Sequence, residues 1–236
     1  MTKGLDFRTI EQAEFDRLYQ QGAVIEDADL SGIIWLQGTY PGLQLRHCRL
    51  VEARLIETLL EDGHFDSCLF LRCGFSRSLL SQAVFEKCSF FDGNDRKGCD
   101  FSYATLREAT FTHCNLSSCS FRGATLYGLT MEDCKAQGAN FDGATFSHLI
   151  GGRASHVMTE AHLHRTNFDL ANFRGADMSG TDLSGAYVDR ACFEDVDLRG
   201  ATLEGFDLGK VTSFQNMKVS EDQQAFLLQS IGIQVL

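Results

Sequence analysis

Nine cysteines and a cluster of histidines are the residues whose types could do chemistry in this chain. Thiolates and imidazoles hold zinc when four of them converge on one point, and a cysteine of depressed pKa acts as a nucleophile. The spacing speaks against both. Cys48, Cys68 and Cys88 lie 20 residues apart, as do Cys99 and Cys119, and Cys114 and Cys134. A linear series at constant interval does not converge, and such cysteines read as small buried hydrophobes. His148, His156, His162 and His164 crowd one segment and read as exposed polar loop residues rather than as a zinc site. There is no GxSxG, no HExxH, no paired CxxC and no phosphate-cradling glycine loop between a strand and a helix. No catalytic, cofactor-binding or metal-binding residue is assigned, and no enzyme is expected.

What holds residues at such intervals is a repeat of five. Large apolar residues stand at Leu30, Trp35, Tyr40, Leu45, Leu50, Leu55, Leu60, Phe65, Phe70, Phe75, Leu80, Phe85 and Phe90. The series resumes out of phase at Phe101 and runs to Phe146, with Ala136 as its one small member. It resumes again at Leu163 and runs to Leu208. A helix has a period of 3.6 and a strand a period of 2, so neither produces this spacing. Two residues before most of the large positions lies a smaller one, commonly Ala or Cys, and Asp, Asn or Ser often stands between them. One large and one small inward position per pentapeptide suit a narrow tube with four short walls. Four pentapeptides then make one coil, and residue i stacks on i+20 at about the 4.8 Å spacing of neighbouring strands. Eight of the nine cysteines occupy the small inward position, Cys192 being the exception. The expected fold is an all-β solenoid, a quadrilateral β-helix of about eight coils and about 40 Å.

Composition narrows the function classes. The formal net charge is −11, which disfavours direct nucleic-acid binding and fits a partner with a basic surface. No apolar run approaches the roughly 18 residues of a membrane span. The N-terminus lacks a basic-then-apolar leader, so the cysteines are expected as reduced thiols in a cytoplasmic protein.

A solenoid needs caps. Residues 1–24 are expected as an N-terminal cap, with a capping box at Thr9 and Gln12 and a helix from Ile10 to Gln21 stopped by Gly22. The β-helix is expected over residues 25–210. Residues 211–236 are expected as a C-terminal helix and tail, started by Ser220 with Gln223. Phe226, Leu227, Leu228, Ile231 and Ile233 make that end apolar, and a second copy would cover it.

Two interruptions break the register, near residues 91–99 and 147–162. The steps across them are 11 residues from Phe90 to Phe101, where the repeat predicts 5 or 10, and 17 from Phe146 to Leu163. Both must project outward, and loops on a rigid scaffold commonly carry function. Candidate partner contacts are Asp92, Asn94, Asp95, Arg96 and Lys97 in the first loop. In the second they are Arg153, His156, Met158 and His162.

The AxFxG, ADMSG and TDLSG units over residues 25–210 resemble the pentapeptide-repeat family, which implies a right-handed β-helix with two projecting loops. The stretches FEKCSF, KGCDFSYATL, DCKAQGANFDGATF, HLIGG, HLHRTNFDLANF and QQAFLLQSIGIQV resemble its quinolone-resistance (Qnr) members. That resemblance implies a cytoplasmic, acidic homodimeric rod that binds DNA gyrase or topoisomerase IV and protects it from quinolone-type poisons. About 50 extra residues of repeat and cap precede the matching region, and fewer coils follow it.

Charge grades along the repeat. Residues 30–90 hold 6 acidic and 6 basic side chains, whereas residues 166–208 hold 9 acidic and 3 basic. Asp177, Asp182, Asp189, Glu194, Asp195, Asp197 and Glu204 are the candidate acidic surface, a partial imitation of duplex DNA at about half its charge density. The alternative readings are a structural adaptor, such as a type VI secretion accessory protein, and an immunity factor against a gyrase-directed toxin.

Overall fold

The computed structural model describes residues 7–146, 163 and 166–234. Its strands are short: β1 (Arg8–Thr9), β2 (Ile25–Glu26), β3 (Ala28–Asp29), β4 (Gln44–Arg46), β5 (Arg49–Val51), β6 (His64–Asp66), β7 (Leu69–Leu71), β8 (Val84–Glu86), β9 (Phe91–Asp92), β10 (Lys97–Gly98), β11 (Thr110–Thr112) and β12 (Thr130–Glu132). Two helices, α1 (Gln12–Gln20) and α2 (Gln224–Ser230), stand near the ends. One parallel sheet has the order β12-β11-β8-β6-β4-β2 and another β1-β3-β5-β7. Only the β9–β10 pair among the named strands is antiparallel.

The chain is a four-sided β-solenoid, and its walls follow the five-residue period. Wall 1 centres on Ile25, Leu45, Phe65, Phe85, Phe111 and Met131. Wall 2 holds Leu50 and Phe70, wall 3 holds Phe75 and Phe101, and wall 4 holds Leu60 and Leu80. From Ile25 to Leu208 every centre except half-buried Tyr40 is buried. One bridge ladder on wall 2 can be followed through Thr9, Asp29, Arg49, Leu69, Ser89, Asn115, Lys135, Asn167 and Tyr187.

Pentapeptides join through turns in which the centre's carbonyl accepts from the residue three places on, as in Gly63 N–H to Leu60 O at 3.2 Å. The residue before that donor sits in the left-handed region, at φ +57° for Asp62 and +71° for Gly200. A type II turn requires this, which accounts for glycine's place in the repeat.

The interruptions leave the walls in register. Gly74 bridges Asp100, a step of 26, and Lys135 bridges Asn167, a step of 32, so the insertions are 6 and 12 residues. The phenylalanines of wall 3 cross both without a gap. Phe75–Phe101, Phe101–Phe121, Phe121–Phe141, Phe141–Phe173 and Phe173–Phe193 stack at 4.6, 5.0, 4.9, 4.9 and 5.0 Å. The cysteines join likewise into two series, Cys48–Cys68–Cys88–Cys114–Cys134 and Cys73–Cys99–Cys119.

Both ends depart from expectation. The ladder begins at Arg8–Thr9 and reaches Ser213 and Lys218, so it exceeds 25–210. Cys192 bridges Ser213 at a step of 21 because a 3-10 turn at Leu208–Lys210 inserts one residue, which hides the last coil from a five-residue count. At the N-terminus the capping box is absent. The N-cap is Glu11, without a side-chain cap. Gln12 instead accepts from Ile34 N–H at 2.8 Å and donates to Asp16 at 2.7 Å. The open amide of the first coil, on exposed Ile34, takes that side chain away from the helix end. Phe15 closes the tube against Trp35 and Tyr40, with ring centroids at 4.9 and 5.3 Å. At the other end Gln223 is buried. It donates to Leu198 O at 2.8 Å and Ala201 O at 2.7 Å, and accepts from Ser220 N–H at 2.7 Å.

Candidate functional site

The first loop leaves the corner between walls 2 and 3, and the second interruption falls between Phe146 on wall 4 and Leu163 on wall 1, about two coils further on. The two interruptions are diagonally opposite. Of the second loop, Phe146 and Leu163 at its two ends are buried. Arg153, His156, Met158 and His162 lie outside the described residues, as do His148 and His164.

The first loop is a hairpin in which Lys97 pairs with Asp92 and Gly98 with Phe91. Asn94 N–H donates to Asp92 Oδ1 at 3.0 Å. Asp92, expected as a partner contact, is instead 3% exposed and bonded to the Arg72 guanidinium. It is a structural residue, because a carboxylate at that depth needs a charged partner. Asn94, Asp95, Arg96 and Lys97 are exposed. On the return, a Cβ on Gly98 would lie 2.3 Å from Cys119 N, so only glycine lets the hairpin rejoin the wall. Arg72 carried no sign of this role in the sequence. Its relation to the loop is a 20-residue stack that a count of motifs does not register.

The seven candidate acidic residues divide by what they touch. Asp177, Asp182 and Asp197 accept from the backbone N–H two residues on, at 3.1, 2.9 and 3.2 Å. Asp29, Asp100, Asn115, Asn140, Asn167 and Asn172 do the same. The polar position of the repeat is thus an Asx turn that shapes the corner. Its charge is incidental to that turn, since Asn serves equally. Glu194 accepts from Ser213 at 2.7 Å, and Asp195 accepts from Asn216 at 3.0 Å. Asp189 lies 3.7 Å from Arg190. Glu204 is exposed. Asp189 also edges a shallow depression of about 450 Å³ beside Asp169, Tyr187, Asp207 and Lys210.

Asp197 is held below its ordinary value of 3.8, mainly by hydrogen bonds from the Arg199 side chain at 2.6 and 2.9 Å. A depressed carboxylate contributes stability above its unfolded pKa and loses that contribution as pH falls through its folded value. Arg199→Ala is therefore expected to raise the Asp197 midpoint toward 3.8, read by carbon NMR. An unmoved midpoint would show that Arg199 does not hold it.

Eight of the nine thiols are buried in the tube, where hydrogen bonds from Cys48 and Cys88 hold Cys68 down to about 4. Burial pushes Cys119 up to about 12, and it raises Cys88 and Cys99 as well. No group of three or more potential metal ligands occurs among the described residues. Among those residues no helix is long and apolar enough to cross a membrane.

At the C-terminal end Leu227 is buried in its own rod and half-buried Leu228 is partly covered. This corrects Leu227 as an interface residue, since its face of α2 packs on the last coil. Phe226, Ile231 and Ile233 are exposed, and so is Phe214, which the sequence did not single out because the one-residue insertion puts it out of phase.

The model of the family "Pentapeptide repeats" matches residues 99–135 and 157–187. The quinolone resistance pentapeptide repeat protein QnrB96 of Scandinavium goeteborgense is 29% identical over 114 residues, 48% of this chain and 52% of that protein. The pentapeptide repeat protein QnrB4 of Escherichia coli is 40% identical over 48 residues, 20% of this chain and 22% of that protein. The chain thus spans about half the length of the first of these relatives and less of the second. The structure of full-length QnrB1, a plasmid-mediated fluoroquinolone resistance protein, is 27% identical with a TM-score of 0.40, covering 83% of this chain and all of that one. The five-residue period and the four-walled coil agree with that match: the chain carries pentapeptide repeats at residues 99–135 and 157–187 and is similar to proteins of the Qnr type.

Proposed function

We propose that this chain is a non-catalytic binding protein that engages a type II topoisomerase, gyrase or topoisomerase IV, and protects it from quinolone-type poisons. The observation that carries this reading is the alignment with a protein named for quinolone resistance over 114 residues. The acidic C-terminal coils support it, because a rod bearing carboxylates at regular steps suits a groove built for a polyanion. The test is a supercoiling assay with gyrase and a fluoroquinolone. The protein is expected to restore supercoiling at drug concentrations that abolish it. Neither binding to gyrase nor a change in inhibition at micromolar protein would reject the reading.

The same reading includes a homodimer joined at the C-terminal end. Phe214, Phe226, Ile231 and Ile233 are 44%, 40%, 38% and 48% exposed there. The double variant F226D/I233D is expected to run as a monomer in light scattering, where the unaltered chain runs as a dimer. A monomeric unaltered chain at micromolar concentration would contradict this.

An adaptor reading draws on the other end. Ile34 and Leu36 are 72% and 47% exposed on the first coil of wall 3. Apolar side chains there suit a second protein contact away from the acidic coils.

A further inference from the structure

Arg72 sits at the corner between walls 2 and 3, one coil ahead of the first loop. Its Nε lies 3.1 Å from Glu52 on the preceding coil, and its Nη1 lies 3.3 Å from Asp95 and also bonds Asp92. Both carboxylates of the loop are therefore taken up by one guanidinium. Asp92 is 3% exposed, so this contact is shielded from water on the acid's side. A planar fork with five donors can hold three carboxylates at fixed angles, which an ammonium cannot.

What the loop has left to offer is cationic. Arg96 and Lys97 are exposed and bond no carboxylate among the described residues. On a chain of net charge −11, Arg96 and Lys97 place two exposed cations side by side at the hairpin's tip. We propose that Arg72 is the positioning residue of the first loop, locking it as a hairpin that holds Arg96 and Lys97 out to a carboxylate-bearing surface on a protein partner. Nucleic acid is the poorer occupant, since the rod's own charge repels a polyanion. The identity of that partner rests on the topoisomerase reading. The positioning does not.

Two measurements on the full chain separate these. The first is limited trypsin digestion of the native protein, followed by mass spectrometry. Arg72→Gln is expected to speed cleavage after Arg96 and Lys97 at least tenfold, with other sites unchanged. Asp92→Asn should match it, and the double variant should cut no faster than either, because the two residues act as one unit. Cleavage that rises equally at all sites would mean general loosening and would overturn the positioning role, as would no acceleration. The second is the supercoiling assay with R96E/K97E, expected to lose at least tenfold in protection at an unchanged circular dichroism spectrum. Protection equal to that of the unaltered chain would overturn the docking role of the two cations. An unaltered chain that does not protect would sink the topoisomerase reading alone, and the digestion pattern would still decide whether Arg72 holds the hairpin.

Discussion

Phe121→Ala is expected to lower the unfolding free energy by about 3–5 kcal/mol, the usual cost of deleting a buried aromatic ring. Phe121 is fully buried and lies between Phe101 at 5.0 Å and Phe141 at 4.9 Å, with both ring pairs nearly parallel. The coil is tied by backbone bonds to the coils on both sides, Phe121 N–H to Asn140 O at 2.6 Å and Ser120 N–H to Cys99 O at 3.0 Å, so collapse around the cavity is restricted. In a solenoid each coil contacts only its neighbours, so the loss falls on the three coils that share this stack. Arg122→Ala, on the exposed side of the same turn, is the control and should change stability by no more than about 0.5 kcal/mol. Urea unfolding followed by circular dichroism measures both. A Phe121→Ala cost below about 1 kcal/mol would show that the stack is not tightly packed.

Removing residues 149–160 is expected to abolish topoisomerase protection while leaving the melting temperature nearly unchanged. The deletion takes out 12 residues, which turns the step of 17 between Phe146 and Leu163 into the 5 of an ordinary pentapeptide. The ladder shows that this is the size of the insertion, since Lys135 bridges Asn167 at 32 where 20 is the rule. Phe146 and Leu163 are both buried, so each side of the cut already belongs to a packed wall. A shortened protein with an intact melt and intact protection would move the functional contact off this loop. A shortened protein that fails to fold would contradict the insertion size.

The fold was legible because burial in a narrow tube imposes its own period. Neither a helix nor a strand places Leu, Phe and Trp at every fifth residue, and Phe101, Phe121 and Phe141 announced their stacking by their interval. Continuity across the loops was less visible. Cys88 and Cys114 differ by 26, and nothing local says that 6 of those residues lie outside the coil. The ends were the least visible. Thr9 and Gln12 have the spacing of a capping box, but the amide that Gln12 meets belongs to Ile34, 22 residues on. A local pattern lost to a long-range donor.

For the site, chemistry and role came apart. Asp92 has the type of a surface contact, yet its partner is Arg72, 20 residues earlier. Asp177, Asp182 and Asp197 have the charge of a DNA-like surface, yet their oxygens shape corners as Asn140 and Asn172 do. Composition counts charges. It cannot say which carboxylates are already engaged by the backbone, because that depends on a turn geometry common to the whole repeat.

The square cross-section makes the rod an indexing shaft. Because four pentapeptides complete a coil, the azimuth at which any loop emerges is quantised. Deleting one pentapeptide between the two interruptions would rotate one loop against the other by about 90°, whereas deleting a full coil would shorten their axial offset by about 4.8 Å and leave their bearing unchanged. Insertions in multiples of 20 are therefore silent in direction and legible only in reach, and those of 5, 10 or 15 re-aim whatever lies beyond them. A lineage of such rods can thus alter where its contacts point and how far apart they stand as two independent settings, without altering one buried side chain in the coils that remain.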